Sequence, residues 1–284
     1  MPTLSYEVVD VFTDTAYAGN PLAVVLDADG VPTEGLQALA REFHLSETAF
    51  PLLPDVPGAD YRLRIFTPET ELPFAGHPSI GAAWVLARLG RIPPGVVRQS
   101  CGAGVLSLTV EPGPGRVELT CGTPTVGEPM GPAPWLAAVG LTDSDLAGPP
   151  RLAGTGLSFG YLPVVAAAVG RAVPDVARLR DLGSAGVSVF AWSTGRAHAR
   201  VFAGEVGVTE DPATGSAALG LGAYLVAAGL VPGDATTSYV VHQGVELGRP
   251  STLECTVRAV AGAAVQCRVA GGIVAIARGE IVRP

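Results

Sequence analysis

Two short stretches of the chain carry residue types suited to acid–base chemistry on a small anion: PFAGHPSIG (73–81) and TEDPATGSAALG (209–220). Each places glycine and small or polar residues directly before what reads as a helix, with Pro78 in the first turn of the first and Asp211-Pro212 in a capping arrangement before the second. A helix start offers backbone N–H groups without helical partners and a partial positive charge. Gly76 and Gly215 let an anion approach that backbone closely, with Pro78 and Thr214 beside them. Two such ends would suit a small carboxylate or an enolate-like anion; either alone reads equally well as ordinary capping. His77 stands at the first start, where the helix field disfavours its charged form and leaves a neutral imidazole. Glu47, in FHLSETAFPLL (43–53), opens an otherwise apolar strand between Ser46 and Thr48. Desolvated, it would be a stronger carbon base, but periodicity does not decide which way it points. His44, His198 and His242 have no partner at a recognisable spacing and read as structural.

The elements that must position these groups are short and numerous. The opening residues read as two strands, Ser5–Phe12 and Pro21–Leu26, joined by a turn at Gly19-Asn20. Leu36, Leu39, Ala40 and Phe43 recur at helical spacing and predict a helix over Thr33–Phe43. ETAFPLL and YRLRIFTP read as strands, GHPSIGAAWVLARLG as a helix stopped at Gly90, and VLSLTVEPGPGRVELTCG as a hairpin about a Gly/Pro turn. The second half repeats the first. At an offset of 139 positions GHPSIGAAWVLARLG (76–90) falls on GSAALGLGAYLVAAG (215–229), superposing Gly76 on Gly215, Gly81 on Gly220 and Gly90 on Gly229, and LSLTV (106–110) meets LECTV (253–257) at a similar offset. Pro124 to Pro150, rich in Gly and Pro, reads as the crossover.

Composition narrows the classes. The 284 residues carry 18 basic and 26 acidic side chains, a formal net charge of −8, and every base among the 18 is arginine. Without lysine there is no Schiff-base or pyridoxal-phosphate chemistry and no Walker-type phosphate lysine. The acidic balance argues against nucleic acid and anionic membrane as partners. Cys101, Cys121, Cys255 and Cys267 are too scattered for a disulfide framework or a zinc site, and read as small hydrophobes in strands. No secretory signal and no membrane span is visible, so the expectation is a soluble, cytoplasmic protein. GTGLSFG (154–160) has the wrong spacing for a dinucleotide fingerprint.

VDVFTDTAYAGNPLAVV (9–25), LSETAF (45–50), FTPETELPFAGHPSIGAAWVL (66–86), EDPATGSA (210–217) and HQGVELGRPS (242–251) together resemble the PhzF family, named for the phenazine-biosynthesis isomerase, in order and over nearly the whole chain. The resemblance implies an α+β, diaminopimelate epimerase-like fold. Its two pseudo-symmetric halves would each be a curved, mostly antiparallel sheet around a central helix, with the active site in the cleft between them. Residues 1–119, rejoined by a strand at about 272–284, would form one half and 120–271 the other. It further implies a cofactor-independent isomerase, with no metal, that is commonly a homodimer. Carried over by position, the acid–base carboxylate is Glu47, and His77, Asp211 and Ser216 hold the substrate beside the backbones of Gly76 and Gly215.

The wider superfamily racemises amino acids with a cysteine at each matched helix start, where this chain has Ala75 and Thr214. Inversion generally needs a base on each face of the carbon, whereas one carboxylate can remove a proton and return it elsewhere on the same face, moving a double bond. The expected substrate is therefore already unsaturated, and the resemblance implies a small amino acid with a carboxylate, of the dihydro-hydroxyanthranilate or pyrroline (alkyl-proline) kind, in secondary-metabolite or antibiotic biosynthesis. Two other readings stay open: an epimerase using Asp211 as second acid–base group, and a non-catalytic binder of small carboxylates.

Overall fold

A computed structural model describes residues 1–113, 115–203 and 209–284; Pro114, in the predicted hairpin turn, lies outside them. The chain falls into two compact units, Met1–Thr120 with Ala270–Pro284, and Cys121–Val269. The first runs β1 (Thr3–Val11), β2 (Asn20–Val25), α1 (Thr33–Phe43), β3 (Glu47–Leu52), β4 (Tyr61–Phe66), β5 (Glu71–Leu72), α2 (Gly76–Arg88), β6 (Gly95–Cys101), β7 (Gly104–Val110) and β8 (Arg116–Cys121). The second runs β9 (Thr125–Val126), α3 (Ala133–Ala138), β10 (Arg151–Gly154), β11 (Ser158–Pro163), α4 (Ala166–Val169), α5 (Val176–Asp181), β12 (Val187–Ser193), β13 (Arg196–Phe202), β14 (Glu210–Asp211), α6 (Gly215–Ala227), β15 (Thr236–Gln243), β16 (Ser251–Val260) and β17 (Ala263–Val282). The last part of β17 belongs to the first unit, where it pairs antiparallel with β1 from Thr3↔Val282 to Val11↔Ile273.

The repeat is a repeat of strand pairings. In the first unit β1–β2 is antiparallel, β2–β3 parallel, β3–β4 and β4–β5 antiparallel, β4–β6 parallel and β6–β7 antiparallel. The second unit reproduces that series with β10–β11, β11–β12, β12–β13, β13–β14, β13–β15 and β15–β16. LSLTV and LECTV fall on β7 and β16, the equivalent strands. GTGLSFG is the turn of the β10–β11 hairpin, a strand-to-strand connection unlike the strand-to-helix turn of a dinucleotide site.

Each unit buries a helix within its own sheet. Helix α2 touches β1, β2, β3, β4 and β7, and every residue from Gly76 to Leu86 is buried; α6 touches β9, β10, β11 and β16 and is buried from Gly215 to Val226. Helices buried all round need no polar face, which is why both are Gly/Ala-rich and mostly apolar beyond their first turns. The superposed glycines Gly81 and Gly220 are points of closest approach. A Cβ at Gly81 would lie 2.6 Å from Leu22 Cδ2, and one at Gly220 3.0 Å from the Cα of Gly154. Both helices end before a glycine in the left-handed region, Gly90 (φ 70°) and Gly229 (φ 67°), as the sequence indicates.

By contrast α1 is amphipathic, burying Gly35, Leu36, Leu39 and Ala40 against Val25, Phe50 and Phe66. The second unit carries its own outer core, in which Trp135, Leu136, Leu162, Val169, Leu179 and Val189 pack together. No helix among the described residues is long and apolar enough to cross a membrane. Cys121, Cys255 and Cys267 are buried free thiols, whereas Cys101, at the end of β6, is part-exposed and not a core residue.

Candidate active site

In the first unit the structure brings Glu47 and His77 together. Glu47 is the first residue of β3, and its side chain is 16% exposed; His77 is the second residue of α2 and is 3% exposed. Glu47 Oε2 faces His77 Nε2 at 3.5 Å, longer than a formed hydrogen bond. Nε2 has no hydrogen-bond partner among the described residues, so a buried polar atom is presented at this place beside the carboxylate. The other ring nitrogen, Nδ1, lies 3.3 Å from the Nδ2 of Asn20, whose Oδ1 accepts from the Ser46 hydroxyl at 3.2 Å. Helix α2 has Ala75 as its N-cap, with no side-chain cap, and Pro78 brings no N–H to the first turn.

Burial pushes the His77 imidazole down to about 3 by desolvation, so the ring is neutral across the working range. In the unfolded chain the same ring protonates below about 6.5. The folded state therefore binds one proton fewer between about pH 6.5 and 3. Its stability falls as pH drops through that window, by at most about 1.4 kcal/mol per pH unit from this group. Urea unfolding at pH 7 and pH 5 should show this loss in the parent and a smaller one in His77→Gln. An NMR titration in which His77 protonates near pH 6 would contradict it.

In the second unit the matching helix start is arranged differently. Asp211 ends β14, and its Oδ2 accepts from the Thr214 hydroxyl at 2.5 Å. Asp211 therefore does not cap α6, contrary to the sequence reading. Thr214 is the N-cap and makes no side-chain cap either, because its hydroxyl is turned to Asp211. Gln243, buried at the end of β15, fixes this turn: its Nε2 donates to the Asp211 carbonyl (2.7 Å) and to Thr214 Oγ1 (3.0 Å), and its Oε1 accepts from the Thr214 N–H (3.2 Å). Gly215 and Ser216 are buried in the first turn of α6. Among the described residues no group of His, Cys, Asp and Glu is placed to hold a metal ion. His198, for which the sequence offers no partner, lies with Nε2 3.0 Å from Glu246 Oε1, a contact closed by the fold across 48 residues of chain.

Sequence reasoning missed Asn20, Gln243 and a duplicated arginine fork. Arg64 holds Glu71 through Nε (2.7 Å) and Nη2 (2.6 Å) and lies over the Phe66 ring at 5.0 Å. Arg200 holds Glu210 through Nε (2.8 Å) and Nη2 (2.7 Å) and lies over Phe202 at 4.8 Å. The signal was present as Arg64-Ile65-Phe66 and Arg200-Val201-Phe202. It sits three positions off the helix offset, because the second unit has a longer connection before β14.

The paired strands also show what stands opposite Glu47 in the duplicated unit. Thr48 pairs with Phe66, and Val187 with Phe202, so the counterpart of Glu47 is Gly186. A Cβ there would lie 2.6 Å from the Phe202 carbonyl oxygen, which leaves no room for a second side chain.

A part-buried carboxylate and a buried imidazole thus meet on a duplicated scaffold, and comparisons with known proteins identify that scaffold. The family of phenazine biosynthesis-like proteins matches residues 9–279. The trans-2,3-dihydro-3-hydroxyanthranilate isomerase of Pseudomonas aeruginosa is 34% identical over 97% of this chain and 98% of its own length. An uncharacterized isomerase of Mesorhizobium japonicum is 33% identical over 99% of both chains. A PhzF-family phenazine biosynthesis protein from Bacillus anthracis superposes with a TM-score of 0.88, at 27% identity over 99% of this chain and 100% of its own. The chain belongs to the PhzF-like family; it is an isomerase with the diaminopimelate epimerase-like α+β fold.

Proposed function

We propose that this enzyme moves a double bond within a small unsaturated cyclic amino acid of the dihydro-hydroxyanthranilate kind, with Glu47 as the only carbon base. The observation that carries the reading is the part-buried Glu47 carboxylate beside neutral, buried His77, in a chain whose duplicated unit has Gly186 in the matching place. Glu47 takes a proton from an acidified carbon and returns it to another carbon of the conjugated system. The substrate delocalises the charge. In the same proposal His77, Asp211 and Ser216 hold the substrate's carboxylate and its amino or hydroxyl group, beside Gly76, Pro78, Thr214 and Gly215. The enzyme acts without a cofactor, as a homodimer.

The test is incubation of trans-2,3-dihydro-3-hydroxyanthranilate with the enzyme in D2O, followed by NMR. The expected result is a product with a displaced double bond and hydrogen replaced at the receiving carbon only. Recovery of starting material inverted and deuterated at one stereocentre would instead establish an epimerase. Tight binding with no exchange would establish a binding protein.

A further inference from the structure

The Asn20 side chain is buried at the first position of β2 and touches both sides of the candidate site. It accepts from Ser46, the residue before Glu47, and its amide nitrogen lies against His77 Nδ1. A primary amide has an end that only donates and an end that only accepts, and a neutral imidazole has one donor and one acceptor nitrogen. If Nδ2 of Asn20 donates, Nδ1 of His77 accepts and the ring proton is on Nε2, the atom that faces Glu47 Oε2. The opposite amide orientation would put the proton on Nδ1 and leave a lone pair on Nε2 facing an ionised carboxylate, an electrostatically repulsive arrangement.

We infer that Asn20 is a positioning residue that fixes the Nε2–H tautomer of His77, so that the imidazole cannot take the proton that Glu47 carries. An unprotonated Nε2 this close to Glu47 would be a second base able to accept that proton and hand it elsewhere. With Nε2 already protonated, the only empty place for the proton is the carboxylate, which holds it until it returns to carbon. The inference rests on the single-carboxylate reading for its consequence in turnover, though the tautomer itself does not depend on the reaction.

The experiment reads both. In enzyme labelled with 15N-histidine, long-range proton–nitrogen correlation distinguishes the two tautomers without substrate, and the His77 pattern among the four histidines is identified by its absence from His77→Gln. The parent is expected to show Nε2–H. In Asn20→Asp the carboxylate can only accept, so His77 should switch to Nδ1–H, with kcat on dihydro-hydroxyanthranilate lowered about 10–100-fold, the range for outer-shell hydrogen bonds that orient a functional imidazole. Should Asn20→Asp not fold, Asn20→Ala is expected to show a mixture of tautomers. The inference is overturned if the parent shows Nδ1–H, if the tautomer is the same in parent and variants, or if it switches with kcat unchanged. Failure of the double-bond reading would leave the tautomer result intact, which separates the two.

Discussion

Glu47→Gln is expected to fold as the parent does and to lose about 10²–10⁴-fold in turnover, the contribution typical of a positioned acid–base group. Glutamine has nearly the shape of glutamate, and the backbone at this position is held by the parallel pairing of β3 with β2, Leu22 opposite Glu47, which the substitution leaves in place. His77 Nε2–H can still face the amide oxygen at position 47, as it faces the carboxylate in the parent. What the amide cannot do is take a proton from carbon. KM should move little, because the substrate is gripped by its polar groups and not by the base. The measurements are the D2O assay above together with thermal unfolding. A variant that kept most of its activity at unchanged stability would show that the base lies elsewhere. The counterpart of Glu47 in the duplicated unit is Gly186, which has no side chain to replace it.

The second large effect is on stability and separates two ion pairs that look alike. Arg200 and Glu210 are each 10% exposed, and the second Arg200 terminal nitrogen also serves the carbonyls of Ala172 (2.7 Å) and Val169 (3.3 Å). Arg200→Ala leaves the Glu210 carboxylate and the Ala172 carbonyl without the arginine, while the Val169 carbonyl keeps the Ala172 N–H, and breaking a buried pair from one side costs about 3–5 kcal/mol. Its counterpart Arg64 is 15% exposed, but the Glu71 carboxylate is 37% exposed and water takes over when the arginine goes. Arg64→Ala should cost about 1 kcal/mol, as for pairs at the surface. Urea unfolding of the two variants measures the difference, and equal losses would refute the argument from burial. Because Glu210 is followed by Asp211, Arg200→Ala should also disturb the turn held by Gln243 and raise KM; Arg64→Ala should not.

Much of the architecture was legible. The Thr33–Phe43 helix follows from its apolar spacing, and the two buried helices from their Gly/Ala runs closed by Gly90 and Gly229. The stretch from 150 to 203 does not read as β10–β13, α4 and α5, because its elements are short and buried without clean alternation. The second helix start was misread. Asp211 three positions before Thr214 has the spacing of a cap, yet its carboxylate meets a hydroxyl rather than helical amides. Asn20 was read as a turn residue because an Asn after Gly usually is one; its amide instead reaches a ring 57 residues further along the chain.

The sequence by itself determined the family, the duplicated unit and which residue types stand at the two helix starts, since each of these is written in local spacing and in motifs a few residues long. Tertiary structure decided the rest: that Glu47 turns inward against His77, that desolvation keeps that imidazole neutral, and that a carbonyl oxygen excludes any side chain at Gly186, the counterpart of Glu47 in the second unit. These depend on strand register and on burial. Both are set by contacts between residues tens of positions apart, and neither period nor composition encodes which side of a strand's first residue will be dry.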